Sequence, residues 1–63
     1  MAKINATFTS EDLAAVGRYS VQEADADGHG WVEVDYGLIR QGEEREFEVD
    51  LHRQRVVLTE VPA

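Results

Sequence analysis

The chain contains no cysteine, which excludes disulfide cross-links and thiolate metal sites. No apolar stretch approaches the ~20 residues that a membrane-spanning helix needs, and no signal-peptide pattern opens the chain. Met1-Ala2-Lys3-Ile4 therefore reads as an intact start, with no membrane partner and a cytoplasmic location expected. Basic residues are scarce: six Lys and Arg stand against thirteen Asp and Glu, a net charge of −7. That field disfavours direct contact with nucleic acid or anionic lipid. No Ser–His–acid trio and no Gly-rich phosphate loop occur. Neither catalysis nor a cofactor is expected.

What remains is short and patterned. Sixty-three residues allow one domain, spanning 1–63, and one this small buries only ~60% of the surface its unfolded chain exposes. The charge is unevenly placed. Residues 1–22 are neutral in sum and residues 51–63 carry +1, so residues 23–50, with ten acids and two arginines, hold −8. An apolar content of 43% argues against a disordered acidic tail.

Ile4, Ala6 and Phe8 alternate with polar residues, which predicts an N-terminal strand over 3–8. Thr9-Ser10-Glu11-Asp12 resembles a helix start, Leu13 to Val16 continue it and Gly17 stops it, predicting a helix of about two turns. A longer helix to Ala24 has a poor apolar stripe. Beyond Arg18 the period is two, with Tyr19 and Val21 alternating with polar positions. Further strands are expected over Trp31–Ile39, around Phe47–Leu51, and over Val56–Val61. Turn formers separate them at 25–30, 40–44 and 52–55. The fold class predicted is α+β: a small antiparallel β-meander of three to four strands with one short N-terminal helix and an N-terminal strand.

The echo of Val32-Glu33-Val34-Asp35 in Phe47-Glu48-Val49-Asp50 suggests one hairpin. Closed around residues 40–43, it pairs Tyr36 with Phe47, Val34 with Val49, and Val32 with Leu51, all apolar on one face. The same register sets Asp35 opposite Glu48 and Glu33 opposite Asp50. Such like-charged pairs lie ~4.5–5.5 Å apart and cost about 0.8 kcal/mol each in water. Either they form a solvated outer face or they are kept for a cationic partner. Four carboxylates in roughly 7 Å would approach the charge density of duplex DNA, one per ~1.7 Å.

Trp31 shares strand parity with Glu33 and Asp35, so an indole beside carboxylates becomes a candidate receptor for Arg or Lys, or simply the end cap of the hairpin. Asp25, Asp27 and Gly30 imitate the start of a calcium loop, but Tyr36 stands where an EF-hand needs its bidentate Glu, and no metal is expected. His29 and His52 fall in expected turns, and their spacing offers no helix-borne metal-ligand pair. Finally, a two-turn helix ~11 Å long cannot cover an apolar sheet face, which points to a homodimer.

The reading that follows is an acidic protein-binding module for a basic protein surface, in its most specific form an inhibitor that imitates nucleic acid. Its contact residues would be Trp31, Glu33, Asp35, Glu43, Glu44, Glu46, Glu48 and Asp50. The alternative is a small assembly subunit that forms a homo-oligomer through its apolar sheet face.

Overall fold

A computed structural model describes residues 1–62. Alternating apolar positions build five strands: β1 (Ala2–Thr7), β2 (Val16–Ala24), β3 (Trp31–Ile39), β4 (Glu44–Val49) and β5 (Gln54–Val61). They form two antiparallel sheets, one of β1 and β4, the other in the order β3–β2–β5. The inward positions of the first sheet include Ile4, Ala6, Phe47 and Val49, and those of the second include Tyr19, Val21, Val56 and Leu58. These two sets close on each other. Val21, Phe47 and Val49 form one buried cluster, with Ile4, Ala6, Tyr19 and Val56 packed around it. Phe8, Ala15 and Ile39 form a second at the other end, with Tyr19 and Leu58 against it.

The fold is therefore all-β, and the expected helix is absent: among the described residues no segment is helical. Residues 9–15 form a loop, because their polar side chains capture the backbone groups that a helix would use. The Ser10 hydroxyl accepts the Asp12 N–H (3.1 Å), and the Asp12 carboxylate accepts the Ala14 N–H (3.0 Å). Two turns are too few to nucleate against this competition. Leu13, the residue meant to anchor the helix, is 81% exposed. Among the described residues no helix is long and apolar enough to cross a membrane.

The predicted hairpin is also corrected. β3 and β4 follow each other through a turn but lie in different sheets. Tyr36 stands opposite Ser20, Phe47 opposite Ile4, and Val49 opposite Ala2. Pairing β3 with β4 in one layer would leave Phe47 and Val49 without a covering layer. Carrying β4 across to β1 instead lays Phe47 and Val49 over Val21 and Tyr19, and two packed layers bury what one layer exposes. The meander breaks at this point, and β5 returns to the free side of β2. Gly42, with φ +77°, makes the crossing turn, and its N–H donates to the Phe8 carbonyl (2.8 Å).

Two layers of short strands make an elongated body. The radius of gyration is 12.7 Å, against roughly 11 Å for a compact chain of this length. The accessible surface is 4546 Å², against roughly 4,100 Å² for a typical monomer of this mass. Closeness is greatest at Gly17, where a β-carbon would fall 2.5 Å from the Phe8 ring and 2.7 Å from Ile39 Cγ2. Gly17→Ala is expected to cost about 1–3 kcal/mol in urea unfolding through overpacking. Leu13→Ala is expected to stay within about 0.5 kcal/mol of the parent, as an exposed loop residue should. A loss of several kcal/mol at Leu13 in the same assay would restore a packed helix there.

Candidate functional site

The outward positions of the three-stranded sheet form cross-strand rows. Leu38, Arg18 and Thr59 make one, Tyr36, Ser20 and Val57 the next, and Glu33, Gln22 and Arg55 a third. Trp31 opposite Ala24 completes the face. A regular strand would send Glu33 and Tyr36 to opposite sides. Here the register shifts between Val21 and Gln22, leaving Val34 as an extra residue without a partner on β2. That bulge turns Trp31 and Glu33 onto the same face as Tyr36 and Leu38.

One continuous network runs across this face. Both terminal nitrogens of Arg18 donate to the Glu33 carboxylate, at 2.9 and 2.8 Å. The Ser20 hydroxyl donates to Glu33 (2.6 Å) and accepts from Gln22 Nε2 (3.1 Å). Arg55 Nε donates to Gln22 Oε1 (2.7 Å). Each arginine also covers an aromatic ring, Arg55 over Trp31 at 4.1 Å and Arg18 over Tyr36 at 4.8 Å from the centroids. Ser20, though only 5% exposed, is thereby satisfied. The two-pronged Arg18 contact, helped by the Ser20 hydroxyl, holds the Glu33 carboxyl down to about 2. The large side chains of this face nevertheless stay open to solvent: Tyr36 is 64%, Leu38 63% and Trp31 45% exposed.

The opposite outer face, on β1 and β4, has another character. Lys3 stands opposite Glu48, Asn5 opposite Glu46 and Thr7 opposite Glu44. Lys3 Nζ lies 4.0 Å from Glu46. Glu44 and Glu48 have no ion pair among the described residues. Three carboxylates thus line one strand, ~6.8 Å apart.

The eight residues expected to form one contact surface are divided by this pairing. Trp31 and Glu33 sit on the three-stranded sheet, with Arg55 and Arg18 of the same chain already beside them. The indole expected to receive a partner's cation is covered on one side by an internal one. Asp35 faces the other way, opposite Val21, and accepts the Tyr36 N–H (2.9 Å). Glu43 lies in the β3–β4 turn, where the Arg40 N–H (2.9 Å) and Arg45 (2.7 Å) lower its carboxyl below the usual range. Glu44, Glu46 and Glu48 line the two-stranded sheet, and Asp50 accepts the His52 N–H (3.1 Å) in the next turn. The ridge with Asp35 opposite Glu48 and Glu33 opposite Asp50 does not exist.

Residues that the sequence reading left out are Arg18, Ser20, Gln22, Arg55, Tyr36 and Leu38. The first three alternate as the polar side of β2, a usable signal. Tyr36 was expected on the inner face beside Phe47, and Leu38 shares its parity, because the bulge at Val34 leaves no mark in the alternation. In the loop before Trp31, Asp25 Oδ1 accepts the Asp27 N–H (3.2 Å) and closes the turn. Among the described residues no three His, Asp or Glu side chains gather as metal ligands. A wide open depression of about 870 Å³ beside the β3–β4 turn is lined by Val16, Leu38, Arg40 and Arg45, among others.

The depressed Glu33 carboxyl sets a pH dependence. A folded value below the unfolded one, near 4.3, contributes stability that is present above the unfolded value and lost as pH falls through the folded one. Melting curves of the parent and Glu33→Gln should therefore differ by a constant margin above pH 5, the parent being more stable. The margin should close between about pH 4.5 and 2. A margin that persists unchanged at pH 2 would remove the Arg18–Glu33 pair as its source. No family model, curated protein or solved structure matches this chain, so its function is read from these surfaces alone.

Proposed function

We propose that the chain is an acidic protein-binding module that takes a basic, extended protein segment along the outer face of β4. The observation that carries this reading is the row of Glu44, Glu46 and Glu48, which shares its face with a single cation, Lys3. Glu33 and Glu43, by contrast, are each neutralised by an arginine within 2.9 Å. Excess charge serves solubility wherever it lies, but solubility does not require the unpaired carboxylates to share one strand face.

The spacing narrows the partner. Carboxylates ~6.8 Å apart are far sparser than the charges of duplex DNA, one per ~1.7 Å. The row matches instead Lys or Arg at every second position of another extended strand, which repeats at the same ~6.8 Å. β4 has β1 on one side and, among the described residues, no strand on the other. An incoming strand beside it would set its basic residues directly opposite the glutamates. The overall charge of −7 draws such a partner in and repels nucleic acid.

A synthetic peptide alternating Lys and Thr over ten residues is a direct probe, titrated while amide shifts are followed by NMR. Binding should weaken steeply between 50 and 300 mM salt, with shifts centred on residues 44–48. Three exposed pairs at roughly 0.5 kcal/mol each give about a tenfold loss in the Glu44→Gln, Glu46→Gln, Glu48→Gln variant. Equal affinity for that variant, or shifts centred on Trp31 to Leu38, would overturn the reading.

A further inference from the structure

The geometry points to the outer face of the three-stranded sheet as the contact surface of a symmetric homodimer, occupied by the same face of a second copy. This is independent of the basic-segment reading, which uses the opposite side of the molecule. Trp31, Tyr36 and Leu38 stand exposed here beside Arg18 and Arg55. Tryptophan, tyrosine and arginine are the residue types that dominate binding energy in protein interfaces. The network beneath them fixes their positions before any partner arrives. Trp31 is held by Arg55, and Tyr36 by Arg18, which is itself held by Glu33. Less side-chain freedom is then lost on docking.

Charge decides that the occupant is a copy of this chain. In a molecule of net charge −7, the outward positions of this sheet carry only Arg18, Arg55 and Glu33, a balance of +1. Two such faces meet with little repulsion. The outward positions of β1 and β4 balance at −2, and bringing two of those together would oppose six glutamates. A head-to-tail stack, acidic row onto arginine face, satisfies charge but leaves Tyr36 and Leu38 against Asn5, Thr7 and carboxylates. It would also desolvate those carboxylates without burying apolar surface. Face on like face gives the apolar members apolar partners.

Edge pairing through β3 is another route to a dimer, and β3 is blunted against it. The bulge at Val34 interrupts its ladder, and Asp35 occupies the Tyr36 N–H. Three strands ~4.8 Å apart and nine residues long present a footprint of about 14 by 30 Å, on the order of 400 Å² per copy. That is close to the surface by which this elongated chain exceeds a typical monomer of its mass, roughly 450 Å². Side-chain relief brings the pair near the ~1,000 Å² floor for a specific interface, so the dimer should be a weak one.

Sedimentation equilibrium of the full chain from 5 µM to 1 mM tests this. The mass should rise from 7.1 kDa to twice that value and stop, with a midpoint of roughly tens to hundreds of micromolar. The single tryptophan provides a second readout, its emission shifting to the blue as the mass doubles. Leu38→Lys should move the midpoint at least tenfold or abolish the dimer, circular dichroism confirming that the fold is kept. Tyr36→Ser, equally exposed, serves if Leu38→Lys does not fold. The Glu44→Gln, Glu46→Gln, Glu48→Gln variant should still dimerise, so loss of peptide binding and loss of dimerisation are separately visible. A mass that stays at one copy to 1 mM overturns the proposal. So does a midpoint indifferent to both face variants, or a mass that grows past two copies as a head-to-tail stack would.

Discussion

Tyr19 joins the two halves of the core. Its side chain packs against both buried clusters, lies over Gly37 where a β-carbon would fall 2.6 Å from its hydroxyl oxygen, and meets the Phe47 ring at 5.0 Å with a 59° tilt. The Arg45 guanidinium, 5.2 Å from its centroid, covers the ring from the other sheet. With no disulfide and so few residues, the fold depends on such contacts between layers. A two-stranded ladder is marginal by itself in water. β1 and β4 become a stable sheet because Phe47 and Val49 have Tyr19 and Val21 to lie on. The assignment of β4 to the second layer and the absence of a β3–β4 hairpin both follow from this contact.

The layering also produces the two outer faces. β1 and β4 turn alternate residues inward and outward, and β3 is buried only at Ile39, so stacking the two sheets creates two independent surfaces on opposite sides of the body. One collects unpaired glutamates on β4. The other collects aromatic, aliphatic and arginine side chains on β2, β3 and β5, with Arg18 paired to Glu33 and Arg55 held by Gln22. Back-to-back docking through the second surface would leave two acidic rows facing outward on opposite sides. A dimer built this way would present its acidic row twice.

Much of this was legible before any coordinates. β1, β3, β4 and β5 overlap the segments where alternation places strands, while β2 begins inside the expected helix; Ile4, Ala6, Tyr19, Val21, Phe47 and Val49 are inward as their period-two pattern requires. The helix at 9–16 was misread because Ser10 and Asp12 are equally good at capping a helix and at closing a turn. Only the amount of apolar surface that follows separates the two, and Leu13 alone does not suffice. The faces of β3 were misread because one inserted residue, Val34, inverts the parity of everything after it, Asp35, Tyr36 and Leu38 included.

By itself the sequence determined most of the extent of β1, β3, β4 and β5, which side chains point inward on most of them, the concentration of acid in residues 23–50, and the absence of disulfides. These are local properties, written in the alternation and composition of each segment. The tertiary structure decided which strand pairs with which, where β3 bulges, and therefore which exposed residues share a surface. Pairing compares the apolar area hidden by alternative arrangements of the whole chain, and the good match of β3 to β4 in isolation said nothing about the layer that had to cover them.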